Sequence, residues 1–226
     1  MKLLLTILLF TSFTFGLQAQ TSLVKLVTNK GDITLLLYDQ TPKHRDEFLR
    51  NIKKGLFDGA QFNRVIKSFV SQAGELDDPI LEREAKHPEI PLLRIPAEIN
   101  PLLFHKKGAL GMGRNDNPQK SSYINQIYIV EGKKQSDAKL DAIERKNGIK
   151  FSAVQRDVYK TIGGTPQLDN DYTVFGEVIA GMEVAEAINN VATSATDLPL
   201  ETINFKPIIL SAKESRKIMK KRMSVN

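Results

Sequence analysis

From residue 23 the chain alternates side-chain character with a period of two. Leu23, Lys25 and Val27 interleave with Val24, Leu26 and Thr28; after the turn residues Asn29-Lys30-Gly31-Asp32, Ile33, Leu35 and Leu37 interleave with Thr34, Leu36 and Tyr38. This predicts a β-hairpin over 23–38. Then the period changes. Thr41 can cap a helix, Pro42 fits its first turn, Gly55 fits its end, and Phe48, Leu49 and Ile52 make a buried stripe. Residues 60–75 mix β-branched and aromatic residues around two isolated polar side chains, Arg64 and Gln72, and read as two short strands. Residues 76–107, punctuated by Pro79, Pro88, Pro91, Pro96 and Pro101, read as an irregular surface loop.

Strand pieces are predicted at 108–114 and 124–130, around a polar loop. Residues 136–162 read as two short helices. Ser136 caps the first and Gly148 ends it; Ser152 and Gln155 make a capping box for the second, in which Val154, Val158 and Ile162 fall on one face. A strand at 172–179 leads to a helix with Val184, Ala187, Ile188 and Val191 on one stripe. A last strand alternates Ile203, Phe205, Pro207 and Ile209. Many short strands without a βαβ rhythm favour a mostly antiparallel barrel or sandwich. The reading is one domain over 20–212, with 132–165 as a helical insertion and 213–226 as a basic tail.

Composition adds boundaries. The 226 residues are 41% hydrophobic and 26% charged, as in an ordinary globular domain. There is no cysteine, which excludes disulfides, thiol nucleophiles and cysteine-based metal sites. The formal charge of +6 suggests a polyanionic partner until it is located. Residues 20–212 hold 25 basic and 25 acidic residues, so the excess belongs to Lys2 and the tail. The domain therefore needs no nucleic acid. Met1-Lys2, the apolar run to Leu17 and the small-residue exit through Ala19 form the pattern of a secretory signal over 1–19, cut near Ala19. The expectation is an exported protein, periplasmic or secreted, with no stable membrane span after cleavage.

Three segments carry the chemistry. They are FNRVIKSFVSQAG from Phe62, GALGM from Gly108 followed by NQIYI from Asn125, and LDNDYTVFGEVIAGM from Leu168. In order and spacing, with the hairpin-then-helix start, they resemble the cyclophilin family of peptidyl-prolyl cis-trans isomerases over roughly residues 23–212. The resemblance implies a mainly β fold, a closed eight-stranded antiparallel barrel capped by a helix at each end. It implies that Arg64 is the catalytic arginine. Phe69, Val70, Tyr128 and Leu168 would line a proline pocket, with Tyr172 at its edge. Gln72 and Gln126 would hold the substrate backbone, and Gly113 and Arg114 would lie near the neighbouring subsite. It further implies isomerisation of unfolded or flexible proline-containing polypeptides by a monomer, without cofactor or metal. The same barrel could alternatively serve as a weakly catalytic chaperone or peptide-binding module.

The chain also departs from the family. Ile124-Asn125-Gln126-Ile127-Tyr128 stands where a glycine, a serine, a glutamine and two phenylalanines are usual. Asn63 and Tyr172 replace histidines. Gln167 replaces a tryptophan present in many members, and the expectation of cyclosporin binding weakens with it.

Overall fold

The computed structural model describes residues 22–224; the expected signal at 1–19 and its cut near Ala19 lie outside them. The hairpin forms as β1 (Ser22–Thr28) and β2 (Gly31–Leu37), and α1 (Pro42–Lys53) follows. Next come β3 (Phe62–Ile66), β4 (Val70–Gly74), α2 (Asp77–Lys86) and β5 (Arg94–Ile95). The middle of the chain gives β6 (Ala109–Met112), β7 (Ser122–Tyr123) and β8 (Gln126–Val130). The insertion supplies α3 (Asp137–Asn147) and α4 (Ala153–Thr161). A 3₁₀ turn at Pro166–Leu168, β9 (Val174–Ala180), α5 (Met182–Asn189), β10 (Phe205–Ile209) and α6 (Ala212–Met223) complete the described chain.

Eight strands form one antiparallel sheet in the order β10-β1-β2-β9-β6-β8-β4-β3. It curls around a core that includes Leu26, Leu35, Phe62, Val65, Ile127 and Phe175. Closure is looser than a full barrel ladder. The outer strands β3 and β10 meet through the Gln61–Asn204 bridge, flanked by hydrogen bonds from Phe62 N to Ile203 O (2.9 Å) and from Phe205 N to Ala60 O (3.0 Å).

A helix covers each mouth. From α1, Phe48 packs edge-on against Phe57 and Phe175, with centroids 5.3 and 5.5 Å apart. Its most buried face is His44, Phe48 and Asn51; Leu49 and Ile52 flank it. Thr41 holds the N-cap position without capping through its side chain. The exposed helical N–H groups are met from a distance instead. Lys43 N and His44 N donate to the Glu98 carboxylate at 3.0 and 2.9 Å, and the His44 ring bonds it at 2.7 Å. At the other mouth α5 buries Ala185, Ile188 and Asn189, while Ala187, expected on the stripe, faces out.

Two further expectations change. The 76–107 excursion is not wholly loop, because α2 occupies its start. Pro79 lies in the first turn of α2, where its missing N–H costs nothing. In α4 the capping box forms, but the buried residue is Tyr159; Val154 and Ile162 are 68% and 52% exposed. The aromatic side chain wins the inward position because it packs edge-on against Phe104 and Phe151, at 5.4 and 5.6 Å. The basic tail is the helix α6, opened by a Ser211–Glu214 capping box and tied to the barrel by Arg222 and Glu177 at 3.3 Å. No helix among the described residues is long and apolar enough to cross a membrane.

Candidate active site

The site begins with a bulge. Phe62 pairs with Ala73 and Arg64 with Gln72, so Asn63 is an extra residue on β3. Strict alternation would turn Phe62 and Arg64 to the same face. The bulge breaks it, leaving Phe62 (2% exposed) and Val65 (1%) both in the core and Arg64 on the outer face. The Asn63 amide secures the irregular step by donating to Gly74 O.

Register then lays out a row across four strands. Arg64 pairs with Gln72, Gln72 with Tyr128, and Tyr128 with Gly111. Gly111 makes room for the aromatic ring, since a Cβ there would sit 2.2 Å from it. Gly113 does the same for Gln126, whose Oε1 would be 1.7 Å from an added Cβ. The β3–β4 turn is held from α5. Asn189 accepts from Ser68 N at 2.8 Å and donates to Ser71 Oγ at 2.9 Å, and Ser68 has a φ of 60°. This fixes the turn that presents Phe69.

All nine residues expected at the site, Arg64, Phe69, Val70, Gln72, Gly113, Gln126, Tyr128, Leu168 and Tyr172, line one cavity of about 120 Å³. Arg114 and Asp77 line it as well. The floor is apolar, with Val70 and Tyr128 packed among Phe69, Leu168 and Tyr172. Arg64 stands at the rim, its side chain 43% exposed, with Nε 3.7 Å from Asp197 Oδ2. The Gln126 amide donates to Glu75 O (2.8 Å) and Asp77 Oδ1 (2.7 Å), which leaves its carbonyl as an acceptor toward the cavity. Among the described residues the Gln72 amide makes no hydrogen bond, and it remains available to a ligand.

Arg114 supports the wall. It donates to Asp171 O at 2.8 Å, pairs with the Asp171 carboxylate at 2.7 Å, and lies 4.7 Å over the Tyr172 ring. Beneath the floor runs a buried polar chain that sequence reading missed. The Tyr128 hydroxyl meets His105 Nε2 at 2.8 Å, His105 Nδ1 meets Asp169 Oδ1 at 2.7 Å, and Tyr159 of α4 donates to Asp169 Oδ2 at 2.5 Å. A carboxylate accepts, so His105 Nδ1 donates to Asp169, while Nε2 and the Tyr128 hydroxyl share the other bond of the ring. Burial, with the nearby Tyr172 and Asp169, pushes the Tyr128 hydroxyl far above its ordinary pKa. His105 and Asp77 were hidden because both lie in the segment read as loop. The one available signal was Tyr128 itself, since a hydroxyl at an apolar position needs a buried partner.

The chain is 32% identical over 188 residues to a Staphylococcus saprophyticus protein named as a peptidyl-prolyl cis-trans isomerase, covering 82% of this chain and 90% of that one. Its fold is similar to a crystal structure of a Cryptosporidium parvum cyclophilin type peptidyl-prolyl cis-trans isomerase, with TM-score 0.60, 22% identity, and 84% of this chain and 98% of that one covered. A second structure of the parasite protein, obtained in the presence of the dipeptide Ala-Pro, gives TM-score 0.59 at 22% identity, covering 84% and 99%. The model of the family described as cyclophilin type peptidyl-prolyl cis-trans isomerase/CLD matches residues 23–209, and the chain belongs to that family.

Proposed function

We propose that the cavity beside Arg64 is where this isomerase turns Xaa–Pro bonds, and that its substrates are flexible proline-containing segments of exported polypeptides. The observation that carries the reading is the convergence of a guanidinium, two amide side chains and an apolar floor on one cavity of about 120 Å³, a size that suits a pyrrolidine ring.

The chemistry follows from amide resonance. Partial double-bond character gives Xaa–Pro rotation its high barrier, of order 18–20 kcal/mol for a peptide bond. In the twisted transition state the prolyl nitrogen regains a lone pair. A donor aimed at that nitrogen binds the twisted form better than the planar one, and so lowers the barrier. Arg64, at the rim of the cavity, would be that donor. Phe69, Val70, Tyr128 and Leu168 would clamp the ring, with Tyr172 closing its edge. Gln72 and the Gln126 carbonyl, beside Gly113, would hold the flanking backbone so that one side of the bond stays fixed while the other turns. Binding of a proline dipeptide is also consistent with the Ala-Pro present with the Cryptosporidium relative.

The test is a protease-coupled isomerisation assay on the protein lacking residues 1–19. Arg64→Ala should lower kcat/KM about 10²- to 10³-fold, as loss of one transition-state donor does elsewhere, with unchanged thermal melting. Activity retained in that variant would sink the assignment. Export would be checked by N-terminal sequencing of the extracytoplasmic protein, with a start near Gln20 expected.

A second reading, client binding with weak catalysis, is favoured by the exposed Ile90, Leu92 and Leu93 of the 76–107 excursion, which are 54%, 61% and 62% exposed. It predicts peptide binding with near-background isomerisation.

A further inference from the structure

Helix α3 divides its charges between two faces. Asp137, Asp141 and Glu144, spaced i, i+4 and i+7, all have partners. Arg156 reaches Asp137 and Asp141 at 2.9 and 2.8 Å, Lys160 reaches Asp137 at 3.0 Å, and Lys150 reaches Glu144 at 2.9 Å. Lys139, Ile143 and Lys146, with the same spacing, line a separate cavity of about 540 Å³ together with Lys133, Ser68 and Gln167. No acidic side chain lines this cavity, and among the described residues none of its three lysines has a carboxylate within ion-pair distance. The carboxylates of α3 are spent on α4 and the neighbouring loop, so the positive charge of the concave face is uncompensated. The net charge of the domain does not explain it, since residues 20–212 balance.

Its position links this face to the chemistry. Ser68 and Gln167 line the lysine cavity, while their chain neighbours Phe69 and Leu168 line the proposed proline pocket. The dividing wall is braced, because Phe69 O accepts from Glu131 N and Gly132 N at 3.0 and 2.9 Å. Because consecutive residues line the two cavities, at Ser68–Phe69 and at Gln167–Leu168, one short stretch of extended peptide would reach both.

We propose that the Lys133–Lys139–Lys146 cavity is an anion subsite of the isomerase, and that it takes an acidic side chain of the same polypeptide whose proline fills the adjoining pocket. The proposal rests on the isomerase reading above. The insertion then selects substrate: α4 holds α3 in place through Arg156, and the opposite face of α3 reads charge close to the proline. A carboxylate and a phosphoryl group offer the shared chemistry of an anion with several acceptor oxygens.

The experiment uses peptides with one Xaa–Pro core and Gln, Glu or phosphoserine at each of the four positions on either side. At low salt the wild-type protein should show a Glu-to-Gln ratio of kcat/KM of roughly three to ten at one or two positions, the range of one or two exposed ion pairs. The ratio should fall toward one in Lys139→Gln/Lys146→Gln, drop below one in Lys139→Glu/Lys146→Glu, and shrink with added salt. Phosphoserine above Glu at the preferred position would identify phosphoryl as the favoured anion; Glu at or above phosphoserine would identify carboxylate. A ratio near one at every position for both anions, or a preference unchanged in the variants, overturns the subsite. Turnover of the Gln peptides reports separately on the isomerase reading. If no peptide is turned over, fluorescence anisotropy of the same labelled peptides yields the anion-to-Gln binding ratio and decides the subsite by the same criteria.

Discussion

At Tyr128 two demands meet in one side chain. Its ring forms part of the cavity floor, and its hydroxyl is tied to His105 at 2.8 Å beneath that floor. Tyr128 is 4% exposed and His105 1%, so neither partner can turn to water if the other is lost. Leaving a buried polar group unpaired costs about 1–3 kcal/mol. Tyr128→Phe should therefore destabilise the protein by about that amount, measured by urea unfolding, while keeping most activity because the ring remains. His105→Ala should cost more, since it strands the Tyr128 hydroxyl, removes one of the three hydrogen bonds to Asp169 and opens a cavity. Combining the two changes should cost less than the sum, because the hydroxyl that His105 satisfied is then absent. Strict additivity would show that the hydrogen bond contributes nothing. Gly113→Ala tests the opposite limit: its Cβ would meet Gln126 Oε1 at 1.7 Å, so the amide must move and kcat/KM should fall even where the protein still folds.

At the scale of elements, local signals located caps well and packing faces less well. Ser136, the Ser152–Gln155 capping box and the left-handed Gly148 stand as the sequence implied, since each is satisfied within one turn of chain. The cap of α1 is different. Glu98 lies 54 residues from His44 and serves the helix across the fold, a relation invisible to any local pattern. Hydrogen bonds from Lys43 N and His44 hold the Glu98 carboxyl below its ordinary pKa against the opposing effect of burial. The sign follows. A depressed carboxyl stabilises above its unfolded pKa, and that contribution is lost as pH falls through the folded value. Glu98→Ala should lower stability by about 1–2 kcal/mol at neutral pH, with the deficit shrinking under acid, as read from urea midpoints. A deficit that grows as pH falls would refute the capping role. The faces of α4 and α5 were misjudged for a related reason: apolar spacing lists candidates, and the neighbouring surface chooses among them.

For the molecule as a whole, the buried phenols set an alkaline limit. Burial pushes the Tyr128 and Tyr159 hydroxyls far above the ordinary tyrosine value, with Asp169 adding to both. Their raised folded pKa values mean stability is intact below about pH 10, where unfolded tyrosine ionises, and is lost as pH rises beyond it. Two such groups give a slope of up to about 3 kcal/mol per pH unit. Phenolate absorbance from these residues should thus appear together with unfolding; its appearance in the folded protein would contradict their burial. Much of this architecture was legible beforehand. Period-two alternation implied the hairpin and the antiparallel sheet, and the segments around Arg64, Gln126 and Leu168, with Gly113, named the nine residues that meet in one cavity. Those inferences depend on residues close in the chain, or on a motif whose spacing reflects a shared register. Tertiary structure alone decided the α2 helix, the bulge at Asn63 that turns Arg64 outward, the Tyr128–His105–Asp169–Tyr159 chain and the unpaired lysines of α3. In each case the deciding partner is brought close by folding and not by sequence, as His105 and Asp169 are across 64 residues, and only the closed set of contacts determines which polar groups are satisfied and which are left to meet a ligand.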